Sequence, residues 1–282
     1  EQSMFFQRAL CLALLCASPF LMAEDCEYSE WGRDDQIGAA NRITPERTLA
    51  AASLVRTGAS HPLGIVITPG MPASPPRYTQ LQVVQPEHQY RTDASHKLGW
   101  KISANDDLVQ MWLGTGPQID GLGHLGEDGE FYNCHQGKDF AAITGLTKLD
   151  ISQIPPIVAR GVLIDVAKHL GVSHLSVAQP ISTQVLQSAM TEQNITVGEG
   201  DVILLHTGYT DAFLEADPQL WGSTIPGITN DAARFLASLK PLAVGADTWG
   251  LGAVPPAPGD KVFYDHAILL KQNGIYILET MN

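Results

Sequence analysis

The chain has 282 residues, 44% of them hydrophobic, with a formal net charge of −13 at pH 7. That much apolar material can bury a sizeable core, and one large domain fits the length better than two. The acidic balance argues against nucleic-acid or anionic-membrane partners, which need clustered Lys and Arg, and leaves small molecules or other proteins.

In chain order, Met4 opens a segment that reads as a secretory signal over residues 4–23: Arg8 supplies the positive start, Ala9 to Leu15 the apolar run, and small residues precede Glu24. An N-terminal core helix is the alternative, because Leu21 is a poor residue three before a cut after Ala23. Glu1 to Ser3 read as a cloning remnant, so the expected mature domain is 24–282 and the expected compartment periplasmic or secreted. No later stretch approaches the roughly 20 apolar residues of a membrane span. Cys11 and Cys16 lie in the proposed signal. Cys26 and Cys134 remain, either paired in an oxidising compartment or left as two buried thiols.

Glu30 to Gly38 is polar and glycine-punctuated and reads as an ordered loop. Thr44-Pro45-Glu46 is a helix start, with a hydroxyl cap, a proline at the first position and an acid in the first turn; the helix should run to about Thr57. Leu63 to Ile67 has the β-branched alternation of a strand. Pro69, Pro72, Pro75 and Pro76 then impose a long loop, of the kind used as a lid or an oligomer contact. Gln80 to Val84 and Asp107 to Leu113 read as strands.

The second delivers the chain into Leu113 to Cys134, where Gly114, Gly116, Gly121, Gly123, Gly126 and Gly129 remove side-chain bulk around Gln118, Asp120 and His124. If 117–120 is extended, Gln118 and Asp120 point to one side and Ile119 to the core. Further on, Ala159 to Val166 is a buried-strand run with Asp165 at its end, and Ser182 caps a helix to Met190. Gly200 to Gly208 turns into an apolar strand ending at His206 and Thr207, both second-tier site candidates because ligands gather where strands end. A satisfied core histidine is the bland alternative for His206. Thr229 caps an amphipathic helix, and Leu242 to Gly245 is one more strand. Last, His266 to Glu279 reads as a short helix, a cap at Gly274 and a strand presenting Glu279.

The glycine-rich stretch resembles the signature of the cyclase family of metal-dependent hydrolases, the group of kynurenine formamidase and isatin hydrolase, whose motif reads His-x-Gly-Thr-His-x-Asp-x-x-x-His. Gly116, Asp120 and His124 match; Gly114, Pro117 and Gln118 stand where the motif has histidine, threonine and histidine. Asp128-Gly129, with Tyr132-Asn133, resembles a tail found in a long-chain branch of the family. Glu30 to Gly38 resembles the family's entry segment, which makes Trp31 either a substrate-facing wall or a core cap. Ala246-Asp247-Thr248 resembles a family segment often followed by a glutamate where this chain has Gly252. The resemblance runs from about Trp31 to the C-terminus.

The resemblance implies a single α/β domain of the swivelling β/β/α kind, with a mixed curled sheet and outer helices, forming a homodimer or homotetramer. It also implies metal ligands at Gln118, Asp120, His266 and Glu279, and a base at His124 acting with Asp120. A metal lowers the pKa of bound water and polarises a carbonyl, and the base moves the proton. Losing two imidazoles while keeping oxygen donors shifts the expected ion from zinc toward manganese. The expected reaction is hydrolysis of a small amide, lactam or lactone, arylformamidase-like or on a cyclic ester, with Trp31 and His206 binding substrate. Two alternatives stand beside it: a metal-independent acid/base enzyme for dehydration, cyclisation or isomerisation, and a degenerate periplasmic binding protein.

Overall fold

The computed structural model describes residues 26–84 and 105–282. The expected leader at 4–23, with Cys11 and Cys16, lies outside the described residues. The strands are β1 Thr79–Val84, β2 Asp106–Met111, β3 Gln118–Asp120, β4 Ala141–Ala142, β5 Gly145–Leu146, β6 Gly161–Asp165, β7 Pro180–Ile181, β8 Val202–His206, β9 Gly227–Ile228, β10 Ala243–Ala246 and β11 Tyr276–Glu279. The central mixed sheet has the order β3-β11-β10-β8-β6, with β3 antiparallel to β11 and the others parallel.

Burial follows the sequence pattern. Ile203 and Leu205 alternate into the core from β8, whereas β10 is buried at every position, as a central strand covered on both faces must be. The Asn230–Ser238 helix starts where the Thr229 hydroxyl accepts the Ala232 amide, and it buries Ala232, Ala233 and Leu236. It packs between the Thr183–Glu192 helix, capped by Ser182, and the helical run Tyr264–Gln272. Complete burial of a side chain such as Leu236 is worth about 1.5–3 kcal/mol, so this layer fixes the sheet's back. The arrangement is the mixed α/β domain that the sequence implied.

Two local expectations fail. The helix capped by Thr44 stops at Ala52 rather than near Thr57. It buries no residue, and Leu54 and Val55 lie exposed, so nothing holds another turn in place. Leu63 to Ile67 forms no strand: its alternation is present, but no neighbouring strand pairs with it, and Val66 is 83% exposed.

The 29–38 loop is tied down by polar contacts. Asp35 accepts from the Ile37 and Gly38 amides, Asn41 Nδ2, Ser29 Oγ and, at 2.6 Å, the Tyr132 hydroxyl. Asn133 donates from Nδ2 to the carbonyls of Gly32, Arg33 and Asp35 and accepts the Ser29 amide. A disulfide joins Cys26 to Cys134, 108 residues apart. Gly274 adopts φ +62°, as its capping position requires, and leaves room for the Tyr132 ring beside it.

Candidate active site

The parallel strands deliver their C-terminal ends to one edge of the sheet, the edge where open α/β sheets place ligands. Glu279 arrives there at the end of β11. Because β3 runs the other way, its register sets Gln118 opposite Glu279 and Asp120 opposite Ile277. Gln118 and Asp120, two apart on an extended strand, share a face. Gln118 Nε2 donates to Asp120 Oδ1 at 3.1 Å and to Glu279 Oε2 at 2.8 Å, so the amide nitrogen, not its oxygen, faces both acids.

The chain then turns at Gly121, whose carbonyl accepts the His124 amide, and this brings His124 back over Asp120. From the far end of the chain, the helical turn Tyr264–His266 inserts His266. Its Nε2 lies 3.1 Å from Glu279 Oε1 and 3.5 Å from Asp120 Oδ2, and His124 Nε2 lies 3.7 Å from the same Asp120 oxygen. Asp120 Oδ2 is buried and has no hydrogen-bond partner among the described residues. One ligating atom from each of Asp120, His124 and His266 falls within 4.8 Å of the others, the one such cluster of three among the described residues.

Electrostatics divide the two histidines. For His266, burial favours the neutral ring, but the Asp265 charge, the nearby Asp120 carboxylate and the bonds with Asp265 and Glu279 outweigh it and hold the pKa well above the ordinary value. His124 moves the other way: burial pulls it down, and the His266 and Arg77 charges add to that against the opposing pull of Asp120. Burial pushes Glu279 up to about 7 despite His266. For Asp120 burial is likewise the largest influence, but the nearby His266 ring, the two imidazole charges and the Gln118 bond together hold it below its ordinary value.

The donor set fits a divalent cation. A carboxylate oxygen without a hydrogen bond sits between two imidazole nitrogens, and the Asp120, Asp265 and Glu279 carboxylates around His266 make the pocket favour positive charge. Asp265 gives the pocket its second layer: its Oδ2 lies 2.9 Å from His266 Nδ1 and fixes the ring so that Nε2 faces the cluster. Gly252 makes room for it, since a Cβ there would sit 2.6 Å from Asp265 Oδ1. An acid thus reaches this place from a neighbouring segment, although position 252 itself carries none.

The structure brings Gln118, Asp120, His124, His266 and Glu279 together, across about half the chain. It does not bring Trp31 or His206 to them. The Trp31 ring stacks on Arg42, with the guanidinium carbon 4.5 Å from its centre, and Arg42 is paired with Glu30 and Glu199. His206 ends β8, two strands from β11, and its Nδ1 lies 2.9 Å from Asp165 Oδ1; that acid also caps the Val166–His169 turn. Sequence reasoning passed over Asp265 and Arg77. Adjacency to His266 was the available signal for Asp265; Arg77, in the proline-rich loop, offered none.

The cyclase family model matches residues 54–253. No curated protein matches the chain. Among solved structures, a cyclase is 30% identical with a TM-score of 0.78, covering 89% of this chain and 82% of its own. Isatin hydrolase A from Ralstonia solanacearum (19% identity, TM-score 0.57, 85% of each chain) and isatin hydrolase A from Labrenzia aggregata (19%, 0.51, 78% of each) share the fold. A family match over residues 54–253 and a solved relative 30% identical over most of both chains agree: the chain belongs to the cyclase family.

Proposed function

We propose that the chain is a metal-assisted hydrolase that opens an amide, lactam or lactone bond of a small aromatic molecule. Asp120, His266 and Glu279 would hold a divalent ion, and His124 serves as the base. The observation that carries this reading is the buried, unpartnered Asp120 Oδ2 facing two imidazoles. Such an atom costs about 1–3 kcal/mol unless something binds it. When bound, the ion supplies a water acidic enough to attack at neutral pH and a charge that polarises the carbonyl.

This chain's residues do the rest. His124, its side chain 42% exposed and its pKa lowered, is neutral at pH 7 and accepts the proton of the attacking water on Nε2. Asp120 then steadies the imidazolium. Asp265 keeps His266 oriented, and Gln118 spaces the two acids. Oxygen-rich donors favour manganese over zinc. The fold shared with isatin hydrolases supports a cyclic amide as one substrate class. Elemental analysis of protein purified without chelator, with hydrolysis of isatin and formanilide assayed alongside, tests the reading. Bound manganese that His266→Ala removes together with turnover is the expected result; turnover that persists without metal contradicts it.

One observation favours a second reading, a metal-independent acid/base enzyme: His266, held protonated among acids that Gln118 bridges, already compensates part of their charge. The same metal analysis separates the two. The proposed setting is an exported homo-oligomer. The Cys26–Cys134 bond supports an oxidising compartment. The β1–β2 ribbon, which exposes Leu81, Val83, Leu108 and Val109, supports burial against a second copy, measurable by sedimentation.

A further inference from the structure

Arg77 follows the proline-rich loop and is half-buried beside the glycine-rich stretch. Its Nη1 donates to the Gly114 carbonyl at 2.9 Å. The guanidinium lies over Gly114 so closely that a Cβ there would meet Nη1 at 2.9 Å, Cζ at 3.0 Å and Nη2 at 3.4 Å. A side chain at 114 would push the guanidinium out of this position.

Arg77 and Gly114 line a notch with Pro72, Thr115 and Trp249. The notch has about 20 Å³ of free space, enough for one small polar group and too little for a ring. Thr115, 2% exposed, has an Oγ1 with no hydrogen-bond partner among the described residues. A buried hydroxyl left unpaired in a notch that a guanidinium also lines, on a segment that reaches Asp120 five residues later, is a place for an acceptor group. The Arg77 charge also reaches His124. Arginine's planar fork matches a carboxylate, which it can bind with two parallel hydrogen bonds.

We propose that Arg77 is an anion-holding residue, and that the substrate bears a carboxylate received in this notch by the guanidinium and the Thr115 hydroxyl. The word substrate rests on the hydrolase reading; the anion site itself does not. Hydrolysis consumes no carboxylate here. The group positions the molecule, with its ring outside the notch and the scissile carbonyl toward the acidic cluster.

The test uses benzoate and benzamide, titrated into the full chain and into Arg77→Met, Arg77→Lys and Thr115→Val while tryptophan fluorescence is followed. Thermal melts report folding, and a parallel Mn²⁺ titration reports the metal cluster. Wild type should bind benzoate at least tenfold more tightly than benzamide. Arg77→Met should erase that preference, Arg77→Lys retain part of it and Thr115→Val reduce it about threefold, all with Mn²⁺ affinity within threefold of wild type. Wild type showing no benzoate preference overturns the proposal, as does a preference that survives Arg77→Met, which would make Arg77 a backbone tether only. If Arg77→Met fails to fold, a reduced preference in both Arg77→Lys and Thr115→Val sustains the proposal, and an undiminished preference in either overturns it. A preference that tracks Arg77 in a protein that binds no Mn²⁺ sustains this inference while refuting the metal reading.

Discussion

Asp35 and Asp120 are both carboxylates drawn in from solvent, yet their surroundings differ in kind. Asp35 receives hydrogen bonds from Ser29, Ile37, Gly38, Asn41 and Tyr132, and next to it Asn133 uses both ends of its amide on the same loop. Asp120 has one oxygen held by Gln118 and another, buried between two imidazoles, with no hydrogen bond among the described residues. A completed polar network spends its polarity on fixing a shape, and this one locks the entry loop onto Tyr132-Asn133. An incomplete one, with acids around a histidine and a base at its rim, keeps capacity for something that arrives from outside.

The comparison breaks most visibly on activity. His266→Ala should lower kcat/KM for the responsive substrate by 10³-fold or more and release the metal, because it removes a ligand and leaves buried acids uncompensated. His124→Ala should lower kcat about 10²- to 10⁴-fold with the metal retained, a split that elemental analysis of the same samples reads directly. Neither should affect the 29–38 loop.

Changes in the other network should do the reverse, costing stability and sparing turnover per folded molecule. Cys26→Ser opens a cross-link spanning 108 residues and should lower unfolding free energy by up to about 4 kcal/mol in urea melts. Asn133→Ala leaves the Ser29 amide and several carbonyls without their partner and should cost about 2–3 kcal/mol.

The smallest effect belongs to a half-exposed pair at the same sheet edge, Asp165 and His206. Burial raises the Asp165 pKa, but the His206 bond and the Lys168 amide outweigh it and hold the carboxyl below its ordinary value of 3.8. A depressed acid contributes stability above its unfolded pKa and loses it as pH falls through the folded one. Asp165→Asn should therefore cost less than about 1 kcal/mol at pH 7, salt-screened, and the difference should vanish as the pH falls below about 3.8.

Much of this was legible before any coordinates. The period of two placed Gln118 and Asp120 on one face, Thr44, Ser182 and Thr229 announced their helices by hydroxyl caps, and the apolar run into His206 was a strand. What sequence withheld were facts of packing. The Thr44 helix lost its last turn because it buries nothing, and Leu63 to Ile67 lacked a neighbour to pair with. Within the site, the resemblance pointed to His266 and Glu279, whereas Asp265 and Arg77 matter through space opened by Gly252 and Gly114, glycines whose meaning lies in their neighbours. Trp31 and His206 carry plausible chemistry, but their side chains are engaged with Arg42 and Asp165.

The central claim is that the unpartnered oxygen of Asp120 exists to bind a cation. Calorimetric titration of Mn²⁺ into chelator-stripped wild type and Asp120→Asn tests it most directly. The account predicts one ion per wild-type chain and at least 100-fold weaker binding to the variant, whose fold stays intact. Equal affinity in both proteins, or no binding to either, would contradict it.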